Sequence, residues 1–375
     1  WHDNIFRTYL PEALQYLEPD PLGPAPGQQA LGYAAQQPMR HIDPLGLLLM
    51  AFDGTRNDRA TQSNIWKLSQ YYADGRAYYH AGPGNEAYLD WDALTAASAS
   101  QILRTQWQSL LNALSSAQGS RQPVPIDILG YSRGAALARH FANQIAAHTR
   151  NGWFSIDDPL RGSIGLCVDL RFMGLFDSVA QFGLLGAQNA AYDLGITDAW
   201  RWVAHAVALH EYRLNFPLLA AAGAEHANTV EAPFIGAHAD IGGGVRLNHA
   251  GHPEPSGDLS DVTLNWMLWQ ARAALVPFAD LSAEDRQISE AWLHDERPAL
   301  QRQLSGGDRA IQDEYGQAAL MAQGRHPQLG DAQRQALEAY IRRMDDGHQG
   351  AENVVGEVNM QGYSQWLEAT LGLPL

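Results

Sequence analysis

The sequence predicts an α/β fold: a mostly parallel sheet covered by helices on both faces, with further helices added towards the C-terminus. Three observations predict it. From residue 47 onward, strand-like apolar runs alternate with amphipathic helical patterns. Those runs are apolar almost throughout instead of every second residue, as expected of strands buried on both faces. The chain has 375 residues, 46% of them hydrophobic, which is ample for a large core.

The elements follow in order. Residues 1–47 carry Pro11, Pro19, Pro21, Pro24, Pro26, Pro38 and Pro44, a density that disfavours helix, so this segment reads as extended chain and turns. "LGLLLMAF" (45–52) reads as a buried strand ending at Asp53, and "QSNIWKLSQYYA" as an amphipathic helix. "RAYYHAG" is a second strand. "DALTAASASQILRTQWQSLLNALSSA" is a long helix with Ile102, Leu103, Trp107, Leu110, Leu111 and Leu114 at helical spacing. "VPIDILGY" is a third strand, "RGAALARHFANQIAAHT" a helix and "LCVDLRFMGLF" a fourth strand. "DAWRWVAHAVALHE" reads as helix, "EAPFIGAH" as a fifth strand and "LSDVTLNWMLWQARAAL" as a helix. Beyond about 280 the chain turns polar and rich in Gln, Arg and Ala, which predicts helices packed outside or a lid. The expected division is 1–47, a proline-rich segment; 48–280, a catalytic domain; and 281–375, a helical tail.

Composition narrows the function. The formal net charge is −16. Nucleic-acid binding, which rests on Lys and Arg against phosphate, is not expected, and an anionic membrane repels such a chain unless a local patch makes the contact. The single cysteine, Cys167, permits no internal disulfide and reads as a buried apolar filler. No apolar run reaches the length of a membrane span, and no basic-then-apolar leader opens the sequence, so export by a route other than a Sec signal is expected.

One short stretch carries chemistry. Gly130-Tyr131-Ser132-Arg133-Gly134 lies between a strand pattern and a helix pattern, the setting of a nucleophile elbow. There the serine occupies a strained turn relieved by Gly130 and Gly134, and the N–H of Arg133 at the helix start can bind an oxyanion. A serine hydroxyl needs a base and an orienting acid, which follow later in the chain in the order acid, histidine. Asp177 stands directly after the fourth strand; Asp169, the competing acid, lies inside the strand pattern. His238 stands just past the fifth strand, before three glycines that let the backbone pack close to a site. His205, His210 and His140 lie on helical patterns and read as surface or core histidines. Asp240 is left open between metal ligation and a supporting role.

"LLLMAFDGTRND" has the strand-Asp-Gly-Thr form of haloacid-dehalogenase phosphatases, but the nucleophilic aspartate they need two positions earlier is Ala51 here. In a hydrolase this loop can instead supply the second oxyanion N–H, from Gly54 or Thr55, with Asp53 fixing the loop by hydrogen bonds.

Together "LLLMAFDGTRND", "ILGYSRGAALAR", "FMGLFDSVA", "HAVALHEYRLNF", "APFIGAHADIGGG" and "LSDVTLNWML" resemble, in order and across about 48–275, an α/β-hydrolase domain family that includes the type VI secretion lipase effectors. The resemblance implies a phospholipase or related lipid esterase injected into a rival bacterium. It implies a cognate immunity protein and a secretion spike or adaptor as partners, and Ser132, Asp177 and His238 as the triad. No cofactor or metal is expected. Residues 1–47 resemble the C-terminal end of Rhs-type repeat proteins, where two Asp-Pro-x-Gly-Leu boxes lie 18 residues apart. Here "DPLGP" (20–24) and "DPLGL" (43–47) flank residues 25–42, with Pro24 in place of Leu. A proline-rich strap along the catalytic domain is the alternative for this segment.

Two further functions stay open at this stage. One is a catalytically inactive docking or cargo module; the other is a serine esterase for soluble substrates. For a lipid substrate, "WDALTAASASQILRTQW" or "DAWRWVAHAVAL" is expected to flank an apolar mouth.

Overall fold

In the computed structural model the described residues are 47–73, 75–84, 98–221, 228–244, 258–286, 291–297, 309–313, 331–344 and 354–374, with positions 288 and 316 and five short strands. Those short strands are β1 (His2–Asn4), β2 (Arg7–Leu10) and β3 (Gln15–Tyr16), which form an antiparallel sheet, and the hairpin of β13 (Asn248–His249) and β14 (His252–Pro253). The two Asp-Pro boxes, and with them the Rhs-like spacing, lie outside the described residues.

The central sheet is built from β4 (Leu48–Phe52), β5 (Arg76–His80), β6 (Val124–Tyr131), β9 (Gly162–Phe176), β10 (Trp202–Ala208) and β12 (Thr229–Phe234), in the order β12-β10-β9-β6-β4-β5. All of these neighbours pair in parallel. Helix α1 (Asn64–Tyr71) connects β4 to β5, and α2 (Ala99–Ser116) precedes β6. Helix α3 (Arg133–Ala147) follows β6, the short α4 (His238–Gly242) follows β12, and α5 (Asp258–Ala273) comes next.

Strand alternation sorts the core into two layers. From β4, Leu48, Met50 and Phe52 enter one cluster with α2 and α3, while Leu49 and Ala51 enter the other with α1 and α5. From β9, Met173 and Leu175 join the first, Phe172 and Phe176 the second. Each fully buried Phe or Leu contributes roughly 1.5–3 kcal/mol, so both faces of the sheet are held by comparable apolar layers.

Three expectations are corrected. Residues 202–208, read as helix, form β10. The stretch WVAHAVA is flanked by β9 and β12 and almost wholly buried, so it shows no polar alternation. Its alanines favour helix intrinsically, and pairing on both edges overrides that preference. Cys167, read as a buried filler, is exposed. The first half of β9 pairs antiparallel with β8 (Trp153–Asp158), which is itself paired with β7 (Thr149–Arg150), and residues there alternate between the core and solvent.

The region past 280, expected to be helical, is mixed. Helices α6 (Ala283–Arg286), α7 (Asp331–Glu338) and α8 (Met360–Leu371) accompany an antiparallel sheet of β15 (Ala291–His294), β18 (Val354–Val358) and β17 (Ile341–Arg343). A further strand, β16 (Ile311–Gln312), pairs in parallel with β11 (Leu218–Leu219). Leu337, Val358, Tyr363 and Leu367 are buried in the second core layer, so this region completes that face of the sheet.

Candidate active site

Strand order fixes which loops meet. β6 lies between β4 and β9, so the loops after Phe52, Tyr131 and Phe176 emerge side by side at one rim; registers Phe52↔Gly130 and Tyr131↔Phe176 bring the three ends level. β12 ends at the same rim beyond β10, with Ala208 opposite Phe234. This is the carboxyl edge at which α/β sheets place their sites.

Ser132 stands between β6 and α3 with φ 58° and ψ −128°, a region that costs a non-glycine residue about 1–3 kcal/mol. Its N–H donates to Phe176 O (3.0 Å), and its carbonyl accepts from Val179 N (3.1 Å), which ties the turn to the loop carrying Asp177. Gly134 is required for a different reason: a Cβ there would lie 2.2 Å from Asp53 O. The backbone at Phe52 and Asp53 therefore packs against the start of α3.

Asp177 is fully buried and also adopts a positive φ, 39°. Its Oδ2 accepts from His238 Nδ1 (2.5 Å) and its Oδ1 from Ala208 N (2.9 Å). Arg309 grips both oxygens, Nη1 to Oδ1 at 2.7 Å and Nη2 to Oδ2 at 2.8 Å. Burial alone would raise the pKa of this carboxyl, but the Arg309 charge, with His238, holds it well below the usual carboxylate range. His238, the first residue of α4, is held from four sides. Its N–H donates to Glu211 Oε2 (3.2 Å), its carbonyl accepts from the Tyr131 hydroxyl (3.2 Å), and the rings of Tyr131 and Phe216 lie 4.8 Å from its own. With Nδ1 engaged by Asp177, Nε2 is the nitrogen left for proton transfer.

The glycines after His238 act as expected. A Cβ on Gly242 would fall 2.0 Å from the Tyr131 ring, so only glycine lets α4 lie against that ring. Asp53 also fixes its loop: it accepts from Gly54 N, the Ser63 hydroxyl and the Tyr79 hydroxyl, each at 2.7 Å. Burial pushes its carboxyl up to about 6, against the opposing effect of those donors. One expectation is corrected here. The N–H of Gly54, one of the two donors offered from this loop, is taken by Asp53.

Asp240 is engaged by protein donors, not left open for a metal: Ala237 N (2.9 Å), His294 N (3.2 Å) and His294 Nδ1 (2.5 Å). It thereby ties α4 to β15. The competing acid Asp169 pairs with the exposed Arg201 on the sheet. His205, fully buried on β10, accepts Ser178 N at Nε2 (3.0 Å) and meets Glu231 at Nδ1 (2.7 Å). His210 meets Glu338, and His140 accepts from Asp193 N. His205 and His210, read on a helical pattern, thus stand on β10 and just after it, while His140 stands on α3.

The sequence reading missed Arg309, Glu211 and Phe216. No motif marks Arg309: an arginine in "SGGDRAIQD" looks like a solvated charge, and only the fold reveals it as buried. Glu211 stands within the quoted block "HAVALHEYRLNF", and a carboxylate directly after a buried strand was the available signal.

The described fold defines an α/β protein whose parallel sheet carries Ser132, Asp177 and His238 past strand ends at one rim. The family comparison points the same way: residues 162–270 match the family model for the Tle1-like phospholipase effector of the type VI secretion system, catalytic domain. The matched stretch carries Asp177 and His238; Ser132 and Arg309 lie outside it. No curated protein matches the chain. Among solved structures the chain is similar to an uncharacterized protein from Pseudomonas aeruginosa, with TM-score 0.50 and 20% identity over 62% of this chain and 46% of that one. This chain thus spans less than half the length of that protein, and the likeness is one of fold. It is also similar to the Tle1 effector solved bound to the VgrG spike of the type 6 secretion system, with TM-score 0.46 and 20% identity over 65% of this chain and 76% of that one.

Proposed function

We propose that the chain is a serine hydrolase that cleaves acyl esters of phospholipids, acting as an antibacterial type VI secretion effector of phospholipase A type. One observation carries the reading: Ser132 sits at positive φ at the start of α3, beside the loop in which the buried Asp177 holds His238 Nδ1. The family match over 162–270 supports a phospholipid substrate.

In the proposed reaction His238 Nε2 removes the Ser132 proton as Oγ attacks the acyl carbonyl carbon. The N–H groups of Arg133 and Thr55 receive the oxyanion, aided by the positive end of α3. Asp177 keeps the imidazole oriented and stabilises its positive charge. As the tetrahedral intermediate collapses, His238 hands the proton to the leaving lysophospholipid oxygen, and the acyl group stays on Ser132. Water, deprotonated by His238, then attacks the acyl-enzyme and releases the fatty acid. The expected partners are the target-cell membrane, an immunity protein in the producer and a spike or adaptor protein. The expected place of action is the membrane surface of the target bacterium.

The test is hydrolysis of phosphatidylethanolamine–phosphatidylglycerol vesicles together with fluorophosphonate labelling. Ser132→Ala is expected to lose labelling and to lower hydrolysis by at least about 10⁴-fold, the scale of losing a triad member. Normal hydrolysis by that variant removes the reading. A wild-type protein that neither labels nor hydrolyses is instead a docking module.

A further inference from the structure

We propose that Arg309 is a positioning residue of the catalytic acid, which makes the segment 309–312 an integral part of the site. The inference rests on the serine-hydrolase reading above and adds to the triad a residue from far along the chain.

Arg309 is buried, and its guanidinium takes both Asp177 oxygens while its Nε donates to Phe216 O (2.6 Å). A planar bidentate fork fixes the carboxylate plane, and that plane decides where Oδ2 meets His238 Nδ1. The backbone beside it is docked independently. Leu218 N donates to Ala310 O (2.8 Å), and β16 pairs with β11. Gln312 accepts from Ala180 N (3.3 Å) and donates to Ala180 O (2.8 Å), three residues after the acid. The segment therefore clamps the acid loop at its side chain and at its backbone. Asp177 already has the His238 and Ala208 donors, so the loop does not need an arginine merely to satisfy it. What Arg309 adds is a fixed orientation and a compensating charge for a carboxylate with no access to solvent. Among the described residues, further charged groups near the pair include Glu211 and Arg213 from the loop after β10, and Glu296 after β15. Arg213 bonds both of these carboxylates, so they are already compensated.

Without Arg309, the buried Asp177–His238 pair loses an adjacent positive charge and takes up a proton at higher pH, which removes the base as pH falls. The experiment measures the fluorophosphonate labelling rate of Ser132 against pH for the full-length wild type, Arg309→Gln and Arg309→Lys. The expected result for Arg309→Gln is an acid limb moved up by about one pH unit or more, the scale of losing an adjacent opposite charge. Arg309→Lys keeps the charge, so its limb stays with the wild type while its rate falls for want of the second hydrogen bond. An Arg309→Gln limb at the wild-type position, or the same displacement in both variants, overturns the inference whatever the rates. A wild-type protein that does not label overturns the hydrolase reading and the inference with it, whereas labelling with an unmoved limb overturns the inference alone. Denaturation in a Ser132→Ala background supplies a readout independent of activity. There the destabilisation by Arg309→Gln is expected to be largest near neutral pH and to shrink as pH falls below about 4, where the unfolded carboxyl protonates. A destabilisation that does not vary with pH counts against the charge role.

Discussion

Asp53 collects three donors at a position sealed from solvent, and its carboxyl is nevertheless pushed up to about 6 by burial. Desolvation outweighs the hydrogen bonds there. The consequence for stability has a definite sign. Between about pH 4, where an unfolded aspartate titrates, and about pH 6, the folded state binds the proton that the unfolded state has lost. Stability contributed by this group therefore falls as pH rises through that window. We expect wild type to lose about 3 kcal/mol relative to Asp53→Asn between those limits, measured by denaturant unfolding at each pH. A parallel course of the two curves removes the burial argument. Asp177 behaves in the opposite sense: its pKa is held low, so its stabilisation is present near neutral pH and is lost as acid protonates it. Two carboxylates at the ends of the strands that flank β6 thus take opposite environments, one paired with Arg309 and one held by neutral donors.

At the level of elements, what was legible in the sequence follows from burial pattern. β4, β6 and α3 were readable to within two or three residues because each apolar run is bounded by polar or glycine punctuation. Ser132, Asp177 and His238 were readable because strand ends carry them. β10 was not, since a buried central strand shows no periodicity and its alanines imitate helix. Arg309 was not, since nothing local distinguishes a buried arginine from an exposed one; its partner lies 132 positions away. The C-terminal helix shows how packing reaches the site. The Tyr363 hydroxyl accepts from Ile235 N (3.1 Å), three residues before His238, and Leu367 is fully buried beside it. Tyr363→Phe leaves that buried N–H unpaired and is expected to cost about 1–3 kcal/mol. Leu367→Ala opens a cavity and is expected to cost about 2–5 kcal/mol. Thermal unfolding checks both, and values near zero for both mean that α8 lies loosely on the sheet.

On the scale of the whole molecule, charge governs the approach to substrate. Among the described residues no helix is long and apolar enough to cross a membrane. Contact with a bilayer therefore depends on surface features, and a net charge of −16 works against an anionic one. Exposed apolar side chains favour it, and two of them, Leu184 and Leu214, lie on the segments that follow β9 and β10, the same segments that carry Asp177 and Glu211. Short-range apolar contact is insensitive to salt, whereas the long-range repulsion is screened within about 30 Å at 0.01 M and about 8 Å at 0.15 M ionic strength. Raising salt across that range should therefore speed hydrolysis of phosphatidylglycerol vesicles and leave the rate on zwitterionic phosphatidylcholine vesicles unchanged. Initial rates on the two vesicle types, at matched lipid concentration, measure this directly. A rate on anionic vesicles that falls with salt points to a local cationic patch stronger than the overall charge, and the repulsion argument is then wrong.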